Sequence, residues 1–552
     1  MSHLQSSIKC ESASIEWENG DDEAGNFPVP SGIWRWGTVS GINELPARVR
    51  AVAEARLAFS REYSGLHEFD GQIQDLSPEG VRKSLALLGG PPLSDPLDDA
   101  TVAGAEASLR TRLGQLEMHR HDPFLHVEAL DLTSYEREYA PLAERMEARS
   151  RHLALWPDAV DAAISSLDSV PAAVAAAFLG PVRGMASAIT PADGDTGERA
   201  TQALQRLVTH LEHFAQQPAA TEGLGADRLI TLLGCADGIT VDLGQILVRT
   251  AAEKLRMVEL LREACAQIAP GEPIAEVVRT TLARHGTFAD VLSSAQNLVD
   301  EAREFVRSHS IAPFADGDCI VEATPAARRW GVGRISWSGA WEPAAPARFH
   351  LTPPDPDWSP DAQDAWLRRF GRAALPALAV HETFPGHANH ALAMRQVTSP
   401  TRRTLWSELF FEGWAHYCEE MCLEEGFQGG SPVLQAGVAL EALVRLARIE
   451  NAIGLHTHQI TVEEGARLFS ENAFLDGPAA MVEARRGLFE PTYTRYGVGK
   501  FFFLDLREAA RRQWGADFTL LRFHTEVLSL GSPPLAPVAD ALGLDPQLAR
   551  WH

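Results

Sequence analysis

The stretch AALPALAVHETFPGHANHALAMRQ (373–396) carries the densest group of chemically active side chains in this chain. An apolar segment of helical character leads to His381 and Glu382, and His387 follows after a Pro-Gly pair. A hydrolytic metal site needs imidazole or carboxylate ligands, an open position for water and a carboxylate beside that water. The segment offers all of these groups, with two histidines as ligands and Glu382 as the base.

The spacing of the two histidines requires a departure from regular helix between them. On an unbroken helix of about 3.6 residues per turn, His381 and His387 would diverge by about 240°. Pro385 lacks a main-chain donor and disfavours helical geometry at Phe384, while Gly386 permits unusual backbone angles. We therefore predict a local bulge that re-aims His387 beside His381. The alternative is a helix that ends at Phe384, followed by an unrelated surface histidine.

A second segment, TLWSELFFEGWAHYCEEMCLEEG (404–426), indicates one continuous helix with acidic side chains on one face. Glu412 and Glu419 lie four and eleven residues after Glu408, and positions 405–418 contain no Lys or Arg. A carboxylate buried among the aromatic residues of this segment would be costly unless it were paired or bound to a metal. The helix therefore offers a third ligand, if it returns antiparallel to the first segment. The alternative is that its glutamates face solvent or pair with arginines elsewhere.

The two segments together resemble a bacterial family known as domain of unknown function 885. The signature of that family is HExxPGH followed by EGWAxYxE, and this chain has HETFPGH (381–387) and EGWAHYCE (412–419). Further likeness lies in GLHTHQITVEEGARLF (454–469), MVEARRGLFEPTYTRYGVGK (481–500) and FTLLRFHTEVLSLGSPPL (518–535). The family is grouped with the zincin-like metallopeptidases. The resemblance implies that His381, His387 and Glu412 bind Zn²⁺, that Glu382 is the general base and that Tyr496 stabilises an oxyanion.

The resemblance also points to further candidates around the metal. Glu408 and Glu419 are reserve candidates for the third ligand, and they are also candidates for orienting the imidazoles by hydrogen bonds. His524 is a second candidate oxyanion donor, although a lone helical histidine is more often structural. Arg486 is expected either to hold a substrate carboxylate or to pair with Glu483.

The rest of the chain predicts a mainly α-helical fold with a small β-sheet. Apolar residues at helical spacing predict the helices 142–153, 201–214, 242–266 and 288–306. Alternating β-branched and aromatic residues predict short strands within 330–341 and 347–353. Gly339 and Ala340, at the end of the first strand, are candidates for pairing with the main chain of an extended substrate.

Composition breaks divide the chain into three parts. These are an acidic flexible tail (1–25), a helical lobe (26–320) and a catalytic lobe with the metal-binding helices (321–552). The resemblance implies a zincin-like metallopeptidase architecture, with the helical lobe placed over a cleft.

Charge and cysteine content restrict partners and location. The formal net charge of −25 argues against nucleic acid or an anionic membrane as a partner, because like charges repel. Six cysteines in 552 residues do not form a disulfide framework, and no targeting segment is visible, so we expect a reduced cytoplasmic location. The oligomeric state is left open.

The expected function is hydrolysis of a peptide or related amide bond by metal-activated water. A short peptide or an aminoacyl small molecule would be the substrate. Three alternatives remain open: a non-catalytic binding protein that retains the fold, a non-peptidase amidohydrolase of small-molecule metabolism, and a non-haem iron oxygenase. The last uses the same two histidines and one carboxylate, but usually on a β-rich barrel.

Overall fold

The computed structural model describes residues 41–217 and 223–545, which form a mainly helical protein with one small sheet. The predicted acidic tail (1–25) lies outside the described residues. Helices of eight or more residues are α1 (Ala47–Ala55), α2 (Pro78–Ala86), α3 (Pro96–Leu109), α4 (Pro123–Leu130), α5 (Leu142–Ala154), α6 (Trp156–Ser166), α7 (Ala172–Gly184), α8 (Gly194–Ala215), α9 (Ala226–Cys235), α10 (Leu243–Ile268), α11 (Phe288–His309), α12 (Pro360–Leu367), α13 (Ala374–Glu382), α14 (His387–Met394), α15 (Glu408–Glu424), α16 (Pro432–His456), α17 (Val462–Ala473), α18 (Gly477–Phe489), α19 (Arg495–Trp514) and α20 (Leu520–Ser529). Shorter helical turns connect several of them.

The four helices predicted from apolar spacing are confirmed as α5, α8, α10 and α11. Local sequence explains where several helices begin. The side chains of Asp95 and Asp122 accept hydrogen bonds from main-chain N–H groups of α3 and α4, and a proline follows each of them. Such a cap satisfies donors that have no partner within the helix, and proline is well suited to the first helical position.

The sheet has three strands, β1 (Cys319–Ala323), β2 (Gly333–Ser336) and β3 (Ala347–Leu351), in the order β1-β3-β2. β1 runs parallel to β3 and β2 runs antiparallel to it, so β2 is an edge strand. β2 and β3 confirm the short strands predicted within 330–341 and 347–353. Beyond β2, the Trp341 N–H donates to the carbonyl of Ser64. β1 was not predicted.

Two hydrophobic cores hold these elements together. The larger core contains residues between Val127 and Leu544 in the sequence. Its apolar side chains come from helices that precede the three strands and from helices that follow them. The smaller joins the first helices, through residues such as Val49 and Val102, to Trp341. The helices before and after residue 320 therefore pack against one another around shared cores.

Among the described helices, none is by itself long and apolar enough to cross a membrane. Two consecutive helical segments have the length and apolar composition of a membrane span only when they are taken together. They are Ala172–Ala188 and Pro191–Ala215, and the chain bends by 72° between them.

Candidate metal centre

The HETFPGH segment forms a break between two helices. α13 ends at Glu382 and α14 begins at His387, so the predicted bulge is a complete interruption. A Cβ atom on Gly386 would lie 2.0 Å from the carbonyl oxygen of His381, so the chain can fold back this tightly only at glycine. The interruption brings the two imidazoles together, with ring centroids 4.8 Å apart and ring planes at 83°. The predicted approach of His387 to His381 is confirmed.

The second motif lies on α15, which begins later than predicted. Pro400–Thr404 is a separate short helix, so the prediction of one continuous helix from 404 is wrong. Ser407 starts α15 by accepting a hydrogen bond from the Phe410 N–H at 3.1 Å. The Ser407 hydroxyl also donates to Asp237, at 2.6 Å, which ties the start of the helix to a distant part of the chain.

Two glutamates of α15 contact the two histidines. Glu412, nearer the start of the helix, contacts both, and Glu419 contacts His381. Glu412 Oε2 lies 3.1 Å from His387 Nε2 and 3.5 Å from His381 Nε2, while Glu419 lies farther along the helix beside His381. His381, His387 and Glu412 each offer a ligand atom, and these atoms all lie within 4.8 Å of one another. Ligands at about 2 Å from one tetrahedral zinc ion are roughly 3–4 Å apart. The two distances from Glu412 to the histidines, 3.1 and 3.5 Å, fall in this range, so the three side chains could hold one metal ion.

A buried charge network fixes the orientation of the first histidine. Glu419 Oε1 lies 2.8 Å from His381 Nδ1, which leaves Nε2 facing Glu412. Arg445 of α16 lies 3.2 Å from Glu419 and also pairs with Glu441. The predicted role of Glu419 in orienting an imidazole fits this geometry. Arg445 and Glu441 were not predicted, although charges four residues apart in an apolar helix were a visible signal.

The electrostatics of the centre favour bound cations. Burial lowers the pKa of His381, but hydrogen bonds to Glu412 and Glu419 outweigh it and raise that pKa to about 8. Burial raises the pKa of Glu412, but the charge of His387 and hydrogen bonds from both histidines hold it well below its usual range. The pKa of Glu419 is likewise held well below its usual range, against burial, chiefly by the charge of Arg445. Both carboxylates therefore remain ionised.

Glu382 and Tyr496, the predicted base and oxyanion donor, lie in the same cleft as the histidines. Glu382 is 7% exposed, and its carboxylate makes no hydrogen bond or ion pair with any residue in 41–217 or 223–545. The Tyr496 ring lies 6.0 Å from that of His381, with ring planes at 29°. Arg486 donates a hydrogen bond to the Tyr496 hydroxyl at 3.1 Å. The cleft thus contains the unpaired carboxylate of Glu382 and the Tyr496 hydroxyl, which accepts a hydrogen bond from Arg486.

One of the two expectations for Arg486 was an ion pair with Glu483. The two side chains do not pair directly. The Arg486 guanidinium forms an ion pair with Glu490, four residues later on the chain. Glu483 instead accepts two hydrogen bonds from Arg448, at 2.7 and 2.8 Å. Arg486 lines the cleft and contacts Tyr496, so it is placed to position that hydroxyl.

The structure does not support a catalytic role for His524. Its side chain is fully buried and does not line the cleft. Nε2 lies 2.9 Å from the Tyr417 hydroxyl, and Nδ1 meets the carbonyl of Ile311. Both ring nitrogens are therefore engaged in packing, and the prediction of an oxyanion donor here is wrong.

Glu408 does not orient an imidazole. Its side chain is 35% exposed, and its charged neighbours are Arg495 at 3.5 Å and Arg56 at 4.0 Å. It lines the cleft one helical turn from Glu412, so it belongs to the wall of the cleft and the predicted contact with a histidine is wrong.

Gly339 and Ala340 are not placed to pair with a substrate. The Gly339 N–H donates to Glu342 at 2.6 Å, and its carbonyl accepts from Arg395. The carbonyl of Ala340 accepts from Arg403, and neither residue lines the cleft. The predicted role is wrong because these main-chain groups already have partners.

The cleft that contains the His381, His387 and Glu412 cluster has a volume of about 400 Å³. One wall contains residues 330–335 and Trp337, which include most of the edge strand β2. Another contains residues from the first helices and their connections, among them Arg56, Tyr63 and Arg112. Residues that are far apart in the chain therefore face one space, with the two histidines and Glu412 in its lining.

These features define a helical protein with a buried two-histidine, one-glutamate cluster in a cleft. The chain belongs to the family described as "Bacterial protein of unknown function (DUF885)", whose profile matches residues 59–542. A search of proteins with curated descriptions found no match.

Two solved structures share the fold. One, from Shewanella oneidensis, is described as a "putative lipoprotein of unknown function"; it has a TM-score of 0.70 and 19% identity, over 92% of this chain and 100% of the other. The second, described as the "putative lipoprotein from Colwellia psychrerythraea", has a TM-score of 0.71 and 17% identity, over 92% of this chain and 98% of the other. At these identities the likeness establishes the fold alone.

Proposed function

We propose that this protein is a zinc-dependent hydrolase that cleaves a peptide or related amide bond, in a zincin-like arrangement. The observation that carries the proposal is the convergence of His381, His387 and Glu412, with candidate ligand atoms within 4.8 Å, beside the unpaired carboxylate of Glu382. Two histidines and one glutamate are a ligand set found in zinc hydrolases that act on peptides.

The donor atoms fit a zinc ion. His381 uses Nδ1 to contact Glu419, so its Nε2 is available as a ligand. His387 presents Nε2 towards Glu412, while its ring stacks on Phe411 with centroids 4.4 Å apart. A carboxylate on the far nitrogen of a ligating histidine is a common support for such ligands. His381, His387 and Glu412 would hold the ion, leaving a position for water.

Zinc in such a site lowers the pKa of a bound water towards about 7 and polarises a carbonyl group. Glu382 accepts the proton from the attacking water and delivers it to the leaving amine. The Tyr496 hydroxyl, supported by Arg486, donates a hydrogen bond to the oxygen on which negative charge develops. Glu419 and Arg445 keep His381 oriented throughout.

The shape of the cleft supports a small, extended substrate. β2 has one sheet partner among the described strands, and its residues line the cleft, so its other edge is available to pair with a peptide main chain. A volume of about 400 Å³ suits a short peptide or an aminoacyl small molecule. Folded proteins would not fit.

Two measurements test this function. We expect the purified protein to contain close to one zinc per chain, and metal analysis without added metal also separates zinc from iron. We expect turnover of short blocked peptides to fall about 10²-fold or more in Glu382→Gln, with metal content retained, because the base is lost and the ligands are not. Undiminished turnover in Glu382→Gln would end the proposed mechanism.

Location is a separate proposal. The five cysteines within the described residues are free thiols, and four of them are buried, which is consistent with a reduced cytoplasmic setting. The two solved relatives carry the description lipoprotein, so the alternative is attachment to a membrane. Fractionation of producing cells distinguishes the two, with the protein expected in the cytosolic fraction.

A further inference from the structure

The cleft is rich in arginine, although the whole chain is acidic. Eight arginines line it, against six acidic residues, in a chain with a formal net charge of −25. The arginines are Arg56, Arg112, Arg334, Arg369, Arg445, Arg448, Arg486 and Arg495. An anionic ligand would be favoured beside those guanidinium groups that lack a carboxylate partner in the protein.

Most of these guanidinium groups are already bound to carboxylates. Five of them form ion pairs with Glu441, Glu483 or Glu490; they are Arg369, Arg445, Arg448, Arg486 and Arg495. Arg334 donates to the Tyr63 hydroxyl at 2.9 Å and lies 3.8 Å from Glu62. These six hold the walls of the cleft together, so they are poorly placed to bind a ligand strongly.

The remaining two, Arg56 and Arg112, belong to the first helices of the chain. The guanidinium of Arg112 makes no hydrogen bond or ion pair within the described parts of the chain, and Arg112 is half-buried in the cleft wall. Arg56 has one acidic neighbour, Glu408, at 4.0 Å, and its side chain is 21% exposed. The Phe59 ring lies 3.8 Å beneath its guanidinium and limits its motion. Arg56 and Arg112 both line the cleft. Burial lowers the pKa of Arg56, and the charge of Arg112 adds to this, against the charges of Glu408 and Glu128.

A nearby acid does not cancel this charge. Glu128 also lines the cleft, and its carboxyl group makes no hydrogen bond or ion pair within residues 41–217 and 223–545. Burial raises its pKa to about 8, so its carboxyl group is largely protonated at neutral pH. Two cations with an incomplete set of partners therefore face the cleft.

The position of Glu408 relates these arginines to the metal centre. Glu408 precedes Glu412 by four residues on α15, about 6 Å along the helix axis. The Arg56 guanidinium lies 4.0 Å from the Glu408 carboxylate, and Arg56, Glu408 and Glu412 all line the cleft. A group held by Arg56 would thus lie beside the helix that carries Glu412.

We propose that Arg56 and Arg112 bind a carboxylate of the substrate, which is a short peptide with an anionic group in the part of the cleft that these two arginines line. This substrate class rests on the proposed hydrolase function. The carboxylate is either the chain terminus or the side chain of an acidic residue, and both offer the same planar pair of acceptors to a guanidinium.

Binding is measured first, in the full-length Glu382→Gln protein loaded with zinc. The probes are an N-acetylated tetra-alanine with a free C-terminus, its C-terminal amide, and an amidated pair with Glu or Gln at the third position. Calorimetry should give an affinity about 10- to 100-fold higher for a carboxylate probe than for its neutral partner. Preference within the first pair identifies the terminus, and preference within the second identifies the acidic side chain.

The same titration is then made with Arg56→Gln and Arg112→Gln added. We expect each to remove about tenfold or more of the affinity for the carboxylate probe and to leave the neutral probe unchanged. Arg112→Lys should restore part of it. Arg82→Gln is the matched control, because Arg82 is exposed on α2 and does not line the cleft.

Turnover by the protein with Glu382 intact gives a second, independent readout. Arg112→Gln should raise KM for the carboxylate peptide and leave kcat and the amide peptide nearly unchanged. Equal affinity for charged and neutral probes, or equal loss of both in the arginine variants, would overturn the proposal. Charge-selective binding without any hydrolysis would refute the hydrolase function alone, and hydrolysis indifferent to both arginines would refute this inference alone.

Discussion

Gly413 of α15 and Gly499 of α19 touch through their backbones: a Cβ atom on Gly413 would lie 2.5 Å from the Cα atom of Gly499. The two glycines belong to the EGWA and YGVG motifs. They let two helices approach closely enough for Glu412, beside Gly413, and Tyr496, one turn from Gly499, to face one cleft.

Gly413→Ala should therefore destabilise the protein by about 1–3 kcal/mol, because overpacked helices must move apart. It should also weaken zinc binding, since Glu412 moves with the helix. Gly180→Ala is the control, because no atom beyond its chain neighbours and its own helix backbone lies within 4 Å of the added Cβ. Denaturant unfolding of both variants measures the difference, and an unchanged Gly413→Ala midpoint would contradict the backbone contact.

Glu419→Gln should reduce zinc affinity by about 10- to 100-fold, because the amide supports the His381 imidazole less well than a carboxylate. Glu408→Gln, on the same helix, should leave zinc affinity unchanged, since Glu408 contacts no histidine. Competition with a fluorescent chelator measures both variants. Circular dichroism verifies that each is folded, and equal zinc affinity in the two would argue against the orienting role.

Removal of zinc should lower the unfolding midpoint, because the ion binds the folded cluster and has no assembled site in the unfolded chain. With free zinc at about 100 times its Kd, the stabilisation is about 2.7 kcal/mol. His387→Ala should abolish the difference between zinc-loaded and chelator-treated protein. Thermal scans of both proteins, with and without chelator, provide the test; an equal shift in His387→Ala would place the zinc elsewhere.

The buried carboxyl group of Asp122, which caps α4, should make the stability of the protein depend on pH. Burial raises its pKa to about 7, against a hydrogen bond from the Phe124 N–H and the charge of Arg112; Glu490 adds a small upward effect. A folded-state pKa above the unfolded one, near 3.8, means that the proton stabilises the fold. That stabilisation is complete below about pH 4 and is lost as pH rises towards about 7.

Asp122→Asn should remove this slope, because the amide keeps the capping oxygen and carries no charge. At pH 8 the variant should be more stable by an amount on the order of 2–4 kcal/mol, as expected for a shift of this size. Urea unfolding between pH 4.5 and 8 measures the difference in slope between the two proteins. Parallel curves would show that Asp122 is ionised in the folded state.

Local motifs made the core of the site predictable. His381, His387 and Glu412 lie within 32 residues, and the Pro-Gly pair indicated that the helix must be interrupted between the histidines. The role of Glu419 beside an imidazole was predicted from its position on the same helix as Glu412. The start of α15 was missed, although Ser407 is a favoured capping residue and stands next to the first helical position.

Contacts between distant parts of the chain were not predictable in this way. His524 belongs to a motif, but its role depends on Tyr417 and Ile311, which surround it only in the folded protein. Arg56 and Arg112 lie about 300 residues before the metal motifs, and no spacing rule relates them. Gly339 was mistaken for a substrate contact because its hydrogen-bond partner Arg395 is 56 residues away.

The cleft takes its reactive groups and much of its lining from different regions of the sequence. Residues 381–412 carry the proposed metal ligands and the proposed base, whereas residues 56–128 and 330–337 contribute walls. Under the proposed function, exchange of wall residues would change selectivity and leave the proposed ligands and base intact. A library confined to residues 56–128 should yield enzymes with new preferences and the same dependence on zinc.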